Sequence, residues 1–200
     1  MMKKSFVLLW LFVLLSATVT LFWYNSWVYL LPTPVPENYK PVPVGSFISL
    51  PGLTAQTQEK PTFLHFYNPE CPCSRFNVKH FQSLVRSYGQ QVNFVVVVMS
   101  DKKYSVEAIQ KRVGLALPVT FDTSVADKCG VYSTPQAVLL NSKSKIFYRG
   151  NYNKNRYCTD ERTNYAQIAL AGLMGNAPAI AFDESALKSY GCSLPYCKKL

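Results

Sequence analysis

Two cysteines one residue apart, in Cys71-Pro72-Cys73-Ser74, are the residues of this chain best suited to do chemistry. A cysteine reacts as its thiolate, so the surroundings that favour the anion decide whether a thiol is reactive or inert. Residues 72–88 read as a helix, with Phe76, His80 or Phe81, Leu84 and Tyr88 recurring at three-to-four spacing and Gly89 as the stop. Pro72 fits its first position, where a missing N–H leaves no helical bond unmade. Cys71 then faces the unpaired N–H groups and the positive end of the helix dipole, and both stabilise a thiolate. Arg75 and Lys79 add positive charge, while Glu70 opposes it. The competing reading of Cys71 is a structural disulfide partner or a buried, inert thiol.

Four further cysteines lie downstream, at 129, 158, 192 and 197. Cys158 closes Asn151-Tyr-Asn-Lys-Asn-Arg-Tyr-Cys158, and Gly191-Cys192-Ser-Leu-Pro-Tyr-Cys197 lies near the C-terminus. A bridge from Cys158 to Cys192 or to Cys197 would tie the C-terminal region back, worth about 3–4 kcal/mol if unstrained. Cys158, Cys192 and Cys197 are therefore the structural disulfide candidates. The chain has two histidines, His65 and His80. His80 lies two helical turns from Cys73, roughly 10 Å along the axis and too far to share a metal ion with it. It reads as a partly exposed helix residue, and no metal site is assigned.

These residues need a scaffold. Thr62-Phe-Leu-His-Phe-Tyr67, between Pro61 and Pro69, reads as a strand that delivers Cys71 to its helix. Val92-Asn-Phe-Val-Val-Val-Val-Met99 is a continuous apolar run, the pattern of a strand covered on both faces. Ser105 caps a second helix to Val113, with Val106, Ile109, Gln110 and Val113 on one side. Gln136–Leu140 and Lys145–Tyr148 flank Asn141-Ser142-Lys143-Ser144 as a hairpin. Residues 160–174, with Tyr165, Ile168 or Ala169 and Leu173 in register, and residues 183–190 read as further helices. Strand, helix, strand, helix, hairpin and more helix is the order of an α/β domain with a parallel strand pair.

Ahead of this domain, no charged residue occurs from Ser5 to Pro36. Phe6 to Leu31 is long and apolar enough to span a bilayer, with Trp23, Tyr24, Trp27 and Tyr29 as an aromatic belt. Lys3 and Lys4 keep the N-terminus in the cytoplasm by the positive-inside rule, which places the rest outside. Cleavage as a signal peptide near Ser16-Ala17-Thr18 is the alternative, but apolar chain continues well past that point. Pro32, Pro34, Pro36, Pro41 and Pro43 make residues 32–45 read as a stiff spacer. The expected organisation is a basic head and anchor over 1–31, a linker over 32–45, a domain over 46–157 and a Cys-containing helical extension over 158–200. Outside the cytoplasm, thiols can pair. The chain is basic, with 21 Lys and Arg against 11 Asp and Glu, but its bases are scattered. Nucleic-acid binding would need a patch and a recognisable module, so it is not expected. With 48% apolar and 14% aromatic residues, disorder is excluded as well.

Phe66-Tyr67-Asn68-Pro69-Glu70-Cys71-Pro72-Cys73-Ser74 resembles the active-site strand and turn of thioredoxin-like proteins. Residues 117–141, with Gly130-Val-Tyr-Ser-Thr-Pro135 ahead of a strand, are similar to the cis-proline region of membrane-anchored TlpA-type thioredoxin-like proteins. The resemblance covers roughly residues 46–150. It implies a thioredoxin-like α/β fold, a cis Thr134–Pro135 bond beside Cys71, and backbone groups at Thr134 that pair with an extended substrate. It also places His65 at the position of a buried acid behind the active-site pair, which makes it a candidate proton relay, the alternative being a strand histidine satisfied by a neighbour. The sequence departs from the family where the second cysteine of Cys-x-x-Cys should stand, since Ser74 occupies that place. Three mechanisms stay open. Cys73 resolves the mixed disulfide through a tight ring; Cys71 works alone with Ser74 as a hydrogen-bond donor; or a distant thiol resolves it, with Cys129 as the candidate.

The expected activity is thiol-disulfide exchange on cysteine-bearing proteins by Cys71, with a redox partner protein and no cofactor. The expected site comprises Cys71, Cys73, Ser74, Thr134 and Pro135, in a single-pass membrane protein whose domain is periplasmic or extracytoplasmic. A peroxidase is disfavoured because Asn68 stands where such enzymes carry Thr or Ser three residues before the cysteine. Cys-x-Cys also supplies two soft ligands, so a copper-binding or metallochaperone role is the alternative from another class. A non-catalytic adaptor on the same fold is the third.

Overall fold

A computed structural model describes residues 2–28, 31–50, 60–175 and 180–194. Tyr29 and Cys197 lie outside the described residues. The first helix, α1 (Met2–Val28), contains a stretch, Lys3–Asn25, long and apolar enough to cross a membrane, and none of it is buried.

The domain is a mixed sheet between helices. Its elements run β1 (Thr62–Tyr67), α2 (Pro72–Tyr88), β2 (Asn93–Val98), α3 (Val106–Val113), β3 (Val119–Thr120), α4 (Ser124–Cys129), β4 (Ser133–Thr134), β5 (Gln136–Leu140) and β6 (Ile146–Gly150). A short 3-10 turn at Glu161–Thr163, α5 (Tyr165–Met174), α6 (Glu184–Leu187) and β7 (Cys192–Ser193) follow. Five strands lie in the order β3-β2-β1-β5-β6. The β1–β2 and β2–β3 pairs are parallel, whereas β5 runs antiparallel to both β1 and β6. This is the thioredoxin-like α/β architecture expected from the sequence.

Alternation along β1 divides the core into two layers, because successive strand side chains point to opposite faces. Phe63 and Tyr67 pack with Phe81 and Leu84 of α2, Ile109 and Val113 of α3, and Tyr165, Ala169 and Leu170 of α5. Leu64 and Phe66 pack on the other face with Val125, Ala126 and Cys129 of α4, and with Ile48, Leu50 and Leu194. Full burial of Phe81 and Leu84 is worth roughly 2–3 kcal/mol each and clamps α2 to the sheet.

Four differences from the sequence reading bear on the site. The buried stripe of α2 is Cys73, Ser74, Asn77, Phe81 and Leu84, while Phe76 is exposed and its ring lies 5.0 Å from that of Tyr157. A polar stripe thus takes the place of an apolar one at the start of the helix. In α5, Tyr165, Ala166, Ala169 and Leu170 are buried and Ile168 is exposed. The proline-rich stretch after α1 lies against the domain instead of standing off it. Thr33 N–H donates to Ser189 O at 2.8 Å, Tyr39 Oη to Gly130 O at 3.0 Å, and Arg149 Nη1 to Val42 O at 2.6 Å. Proline lacks a backbone N–H, but the residues between the prolines supply donors and acceptors, and Pro32 and Phe47 form isolated bridges to Tyr190 and Lys145. Finally, residues 183–190 form only the short α6, after which the chain is extended.

Candidate functional site

The site begins where β1 ends. Cys71 is the N-cap residue of α2 in extended backbone conformation, its N–H donates to Asn68 O at 3.1 Å, and Arg75 N–H donates to Cys71 O at 3.2 Å. Cys71 is 2% exposed. Ser74, one turn into the helix, accepts a hydrogen bond from Asn68 N–H at 3.3 Å. Its oxygen thus fixes the turn ahead of Cys71; the role expected for it, donation to the Cys71 sulfur, is not the bond it makes. Glu70 turns its charge to the β2–α3 side, accepting from Ser100 Oγ at 2.6 Å and from Tyr104 Oη, with Lys102 Nζ at 3.8 Å. Burial works against that carboxylate, but the Ser100 and Tyr104 hydrogen bonds and the Lys102 charge hold it below the usual carboxylate range. Glu70 is therefore held ionised, with its partners on the β2–α3 side.

The Thr134–Pro135 peptide bond is cis, and Thr134 O lies 3.5 Å from Cys71 Sγ. Ser133 and Thr134 are fully buried, and neither hydroxyl oxygen has a hydrogen-bond partner among the described residues. Thus Cys71, Thr134 and Pro135 meet as one site.

The partner of Cys71 is Cys192. The two form a disulfide with Cα atoms 6.1 Å apart, across 121 positions of sequence. Cys192 belongs to β7, which pairs antiparallel with β4 in the register Ser133↔Ser193 and Thr134↔Cys192. This corrects the first form of the expected bridge, Cys158 to Cys192, while the second, Cys158 to Cys197, falls on a residue outside the described ones; among the described residues, Cys73, Cys129 and Cys158 keep free thiols. The physical reason is the extended chain after α6, which carries Cys192 to β4, where the two strands form a separate two-stranded sheet, instead of to the loop that holds Cys158.

Of these free thiols, Cys73 and Cys129 are buried and Cys158 is partly buried. Cys73 is fully buried, and that burial pushes its thiol up, while the charge and hydrogen bond of the Arg156 guanidinium pull it back in part. Arg156 is itself 7% exposed, lies over the Phe76 and Tyr157 rings at 5.7 and 4.8 Å, and donates to Tyr157 Oη at 2.7 Å. Cys129 sits in the layer opposite α2, where burial pushes its thiol up to about 12. That placement does not bring it to Cys71. Cys158 is likewise pushed up to about 12 by burial, with its sulfur 3.9 Å from Asn77 Oδ1.

His65 is fully buried on β1, stacked on Phe81 with ring centroids 4.1 Å apart. Its Nδ1 lies 2.6 Å from Tyr152 Oη, and its Nε2 has no partner among the described residues. Burial pulls its pKa down to about 3, so the ring is neutral throughout the physiological range. His80 is half-buried, with its ring 6.0 Å from that of Tyr152. Among the described residues no group of three His, Cys, Asp or Glu side chains is placed to hold a metal ion.

Three contributors were not read from the sequence. Arg156 and Tyr152 come from the polar stretch 151–158, which has no period to mark an inward side. Cys192 came to attention as a cysteine, but nothing local ties it to Thr134. Chemically, the assembly is a disulfide with one sulfur at a helix N-terminus, against a cis-proline turn, and the other on a two-residue strand.

No curated protein matches the sequence. Among solved structures, a hypothetical protein from Sinorhizobium meliloti 1021 aligns with a TM-score of 0.64 at 18% identity, over 78% of this chain and 96% of its own. An uncharacterized conserved protein from Geobacillus kaustophilus aligns at 0.63 and 20% identity, over 85% and 100% of the two chains. A thioredoxin-family thiol:disulfide interchange protein from Chlorobium tepidum TLS aligns at 0.47 and 15% identity, over 72% and 97%. The first two likenesses establish a shared fold. Residues 47–198 match the family model described as a domain of unknown function, DUF6436, and the chain belongs to that family.

Proposed function

We propose that this protein is a membrane-anchored thiol-disulfide oxidoreductase that exchanges disulfides with cysteine-bearing proteins through Cys71, outside the cytoplasm. The observation that carries the reading is the disulfide of Cys71, a residue that caps the N-terminus of α2 and lies 3.5 Å from Thr134 O beside the cis-proline. The helix N-terminus lowers the cost of a thiolate there, whereas the buried Cys73, Cys129 and Cys158 thiols are all pushed up. Among the described cysteines, Cys71 alone combines stabilisation of the anion by a helix N-terminus with a sulfur engaged in a disulfide. In exchange, the Cys71 thiolate attacks a substrate disulfide, forms a mixed disulfide and releases one substrate thiolate. A second thiolate then attacks Cys71 Sγ and releases the other.

Anchoring is supported by α1 and the placement outside by Lys3 and Lys4 ahead of it. Turnover of insulin disulfides by the full chain in detergent, with dithiothreitol as electron source, tests the activity. Wild-type protein is expected to accelerate reduction and C71S to return it to the uncatalysed rate. Equal rates with wild-type and C71S protein would refute the reading. Reporter fusions at the C-terminus test the topology: an extracytoplasmic reporter must be active and a cytoplasmic one silent.

A further inference from the structure

The strand that carries Cys192 is two residues long, and its position is fixed from both sides. Before it, Ser189 O accepts from Thr33 N–H at 2.8 Å, Ser189 Oγ accepts from Gln136 Nε2, and Tyr190 Oη donates to Asn153 O at 2.8 Å. After it, Leu194 is 1% exposed in the layer on the α4 side, and its N–H reaches Tyr132 O at 3.4 Å. Between these anchors, Gly191 has φ +117° and stands so close to β4 that an added Cβ would lie 2.3 Å from Thr134 O. The chain is therefore built to lay one cysteine against Thr134, in the register that hands its sulfur to Cys71.

We propose that Cys192 is the resolving cysteine of this protein, delivered to Cys71 by the β7 strand, and that Cys73 is not. The inference rests on the exchange activity assigned to Cys71 above. Cys73 is the nearer thiol in sequence, yet it is fully buried on the α2 stripe with its acidity suppressed, and it makes no bond to Cys71. Cys192 is partly exposed and already holds the bond.

In the direction of disulfide reduction the steps balance as follows. The Cys71 thiolate attacks substrate R–S–S–R′, forms Cys71–S–S–R and releases R′–S⁻, which takes up a proton. The Cys192 thiol loses its proton to solvent and attacks Cys71 Sγ. The Cys71–Cys192 bond forms, the Cys71–S–R bond breaks, and R–S⁻ leaves and is protonated. Two electrons pass from Cys71 and Cys192 to the substrate. An external dithiol restores them: its first thiolate attacks the partly exposed Cys192 sulfur and expels Cys71 as the thiolate that the helix N-terminus stabilises. Its second thiolate then attacks its own first sulfur, releases Cys192 as a thiolate that takes up a proton, and leaves the dithiol as its own disulfide. The order follows from access and leaving-group acidity, since Cys71 is 2% exposed in the closed form. While a substrate sulfur occupies Cys71, Cys192 stands aside, and resolution is its return to β4.

The test uses reduced full-length protein in detergent and oxidised glutathione as the probe, with quenched samples mapped by mass spectrometry. A thiol on a tethered strand acts at millimolar effective concentration or more, so against 0.1 mM free glutathione its loss slows resolution about ten-fold or more. In wild type the Cys71–glutathione adduct is expected to be transient and to give way to Cys71–Cys192. In C192S the adduct is expected to outlive the wild-type one at least about ten-fold, and in C73S to be as short-lived as in wild type. A long-lived adduct in C73S with a short-lived one in C192S overturns the proposal in favour of Cys73 and leaves Cys71 as the exchange centre. A Cys71–Cys192 bond that 10-fold excess dithiothreitol never opens overturns it in favour of a permanent staple. No adduct on Cys71 in any variant overturns both this proposal and the activity on which it rests.

Discussion

Replacing Gly191 by alanine should make the Cys71–Cys192 disulfide easier to reduce without weakening the rest of the domain to the same degree. The closed form holds Gly191 at φ +117°, and a Cβ there meets Thr134 O at 2.3 Å. The obstacle is backbone, so it cannot turn away as a side chain would. An L-residue held in such a conformation costs of order 1–3 kcal/mol. If β7 leaves β4 when the bond opens, the reduced form escapes that cost. The equilibrium between closed disulfide and open dithiol then moves toward the dithiol by about 5- to 150-fold, since 1.4 kcal/mol is a factor of ten. Equilibration in glutathione buffers, with alkylation to count closed and open molecules, reads this shift. Gly45→Ala is the control: its φ is +88°, but nothing lies within 4 Å of an added Cβ, so its strain is the same in both redox forms. An alanine at 191 that lowers the denaturation midpoints of oxidised and reduced protein equally, with no movement of the glutathione equilibrium, would refute the reasoning. It would mean that the strand stays on β4 in both states.

Other outcomes follow from the buried groups around the site. His65 is held neutral with a pKa of about 3 against 6.5 for a free side chain, so the unfolded chain binds the extra proton first as pH falls. Stability should be complete above about pH 6.5 and fall toward pH 3 at up to roughly 1.4 kcal/mol per unit from this residue, and H65F should flatten that slope in urea titrations. Tyr152→Phe removes the hydroxyl from His65 Nδ1 and leaves a buried ring nitrogen unpaired, with an expected loss of about 1–3 kcal/mol in chemical denaturation. Arg156→Met should push the Cys73 thiol further up, read as slower alkylation of Cys73 by iodoacetamide at pH 8 in the reduced protein. C129S and C158S should leave the Cys71–Cys192 equilibrium in glutathione buffers where it is, because both thiols lie outside the bonded pair.

The strands and helices that present Cys71 were legible because their signals are local. Thr62–Tyr67 is an apolar run between prolines, and Pro72–Tyr88 has its proline at the start and its glycine after the end. Where the signal was thin, the reading failed. Val119–Thr120 and Ser124–Cys129 are too short to show a period, and the first two turns of α2 bury Ser74 and Asn77, which a search for apolar stripes passes over. The pairing of Thr134 with Cys192 belongs to neither segment by itself. Residues 190–194 alternate in no useful way, and only the folded sheet edge gives them an address. Arg156 is hidden for the same reason: a loop residue becomes part of a site through the fold that surrounds it.

If α1 is the anchor proposed above, the contact between Thr33 and Ser189 sets how far from it the domain can reach. Val28 ends α1, and Pro32, four positions later, bridges to Tyr190, two positions before Cys192. Four links of chain span no more than about 15 Å. On the proposed anchoring and exchange activity, the Cys71 and Cys192 sulfurs would patrol a thin layer at the lipid surface, meeting in two dimensions whatever is inserted in, or emerging from, the same sheet of lipid.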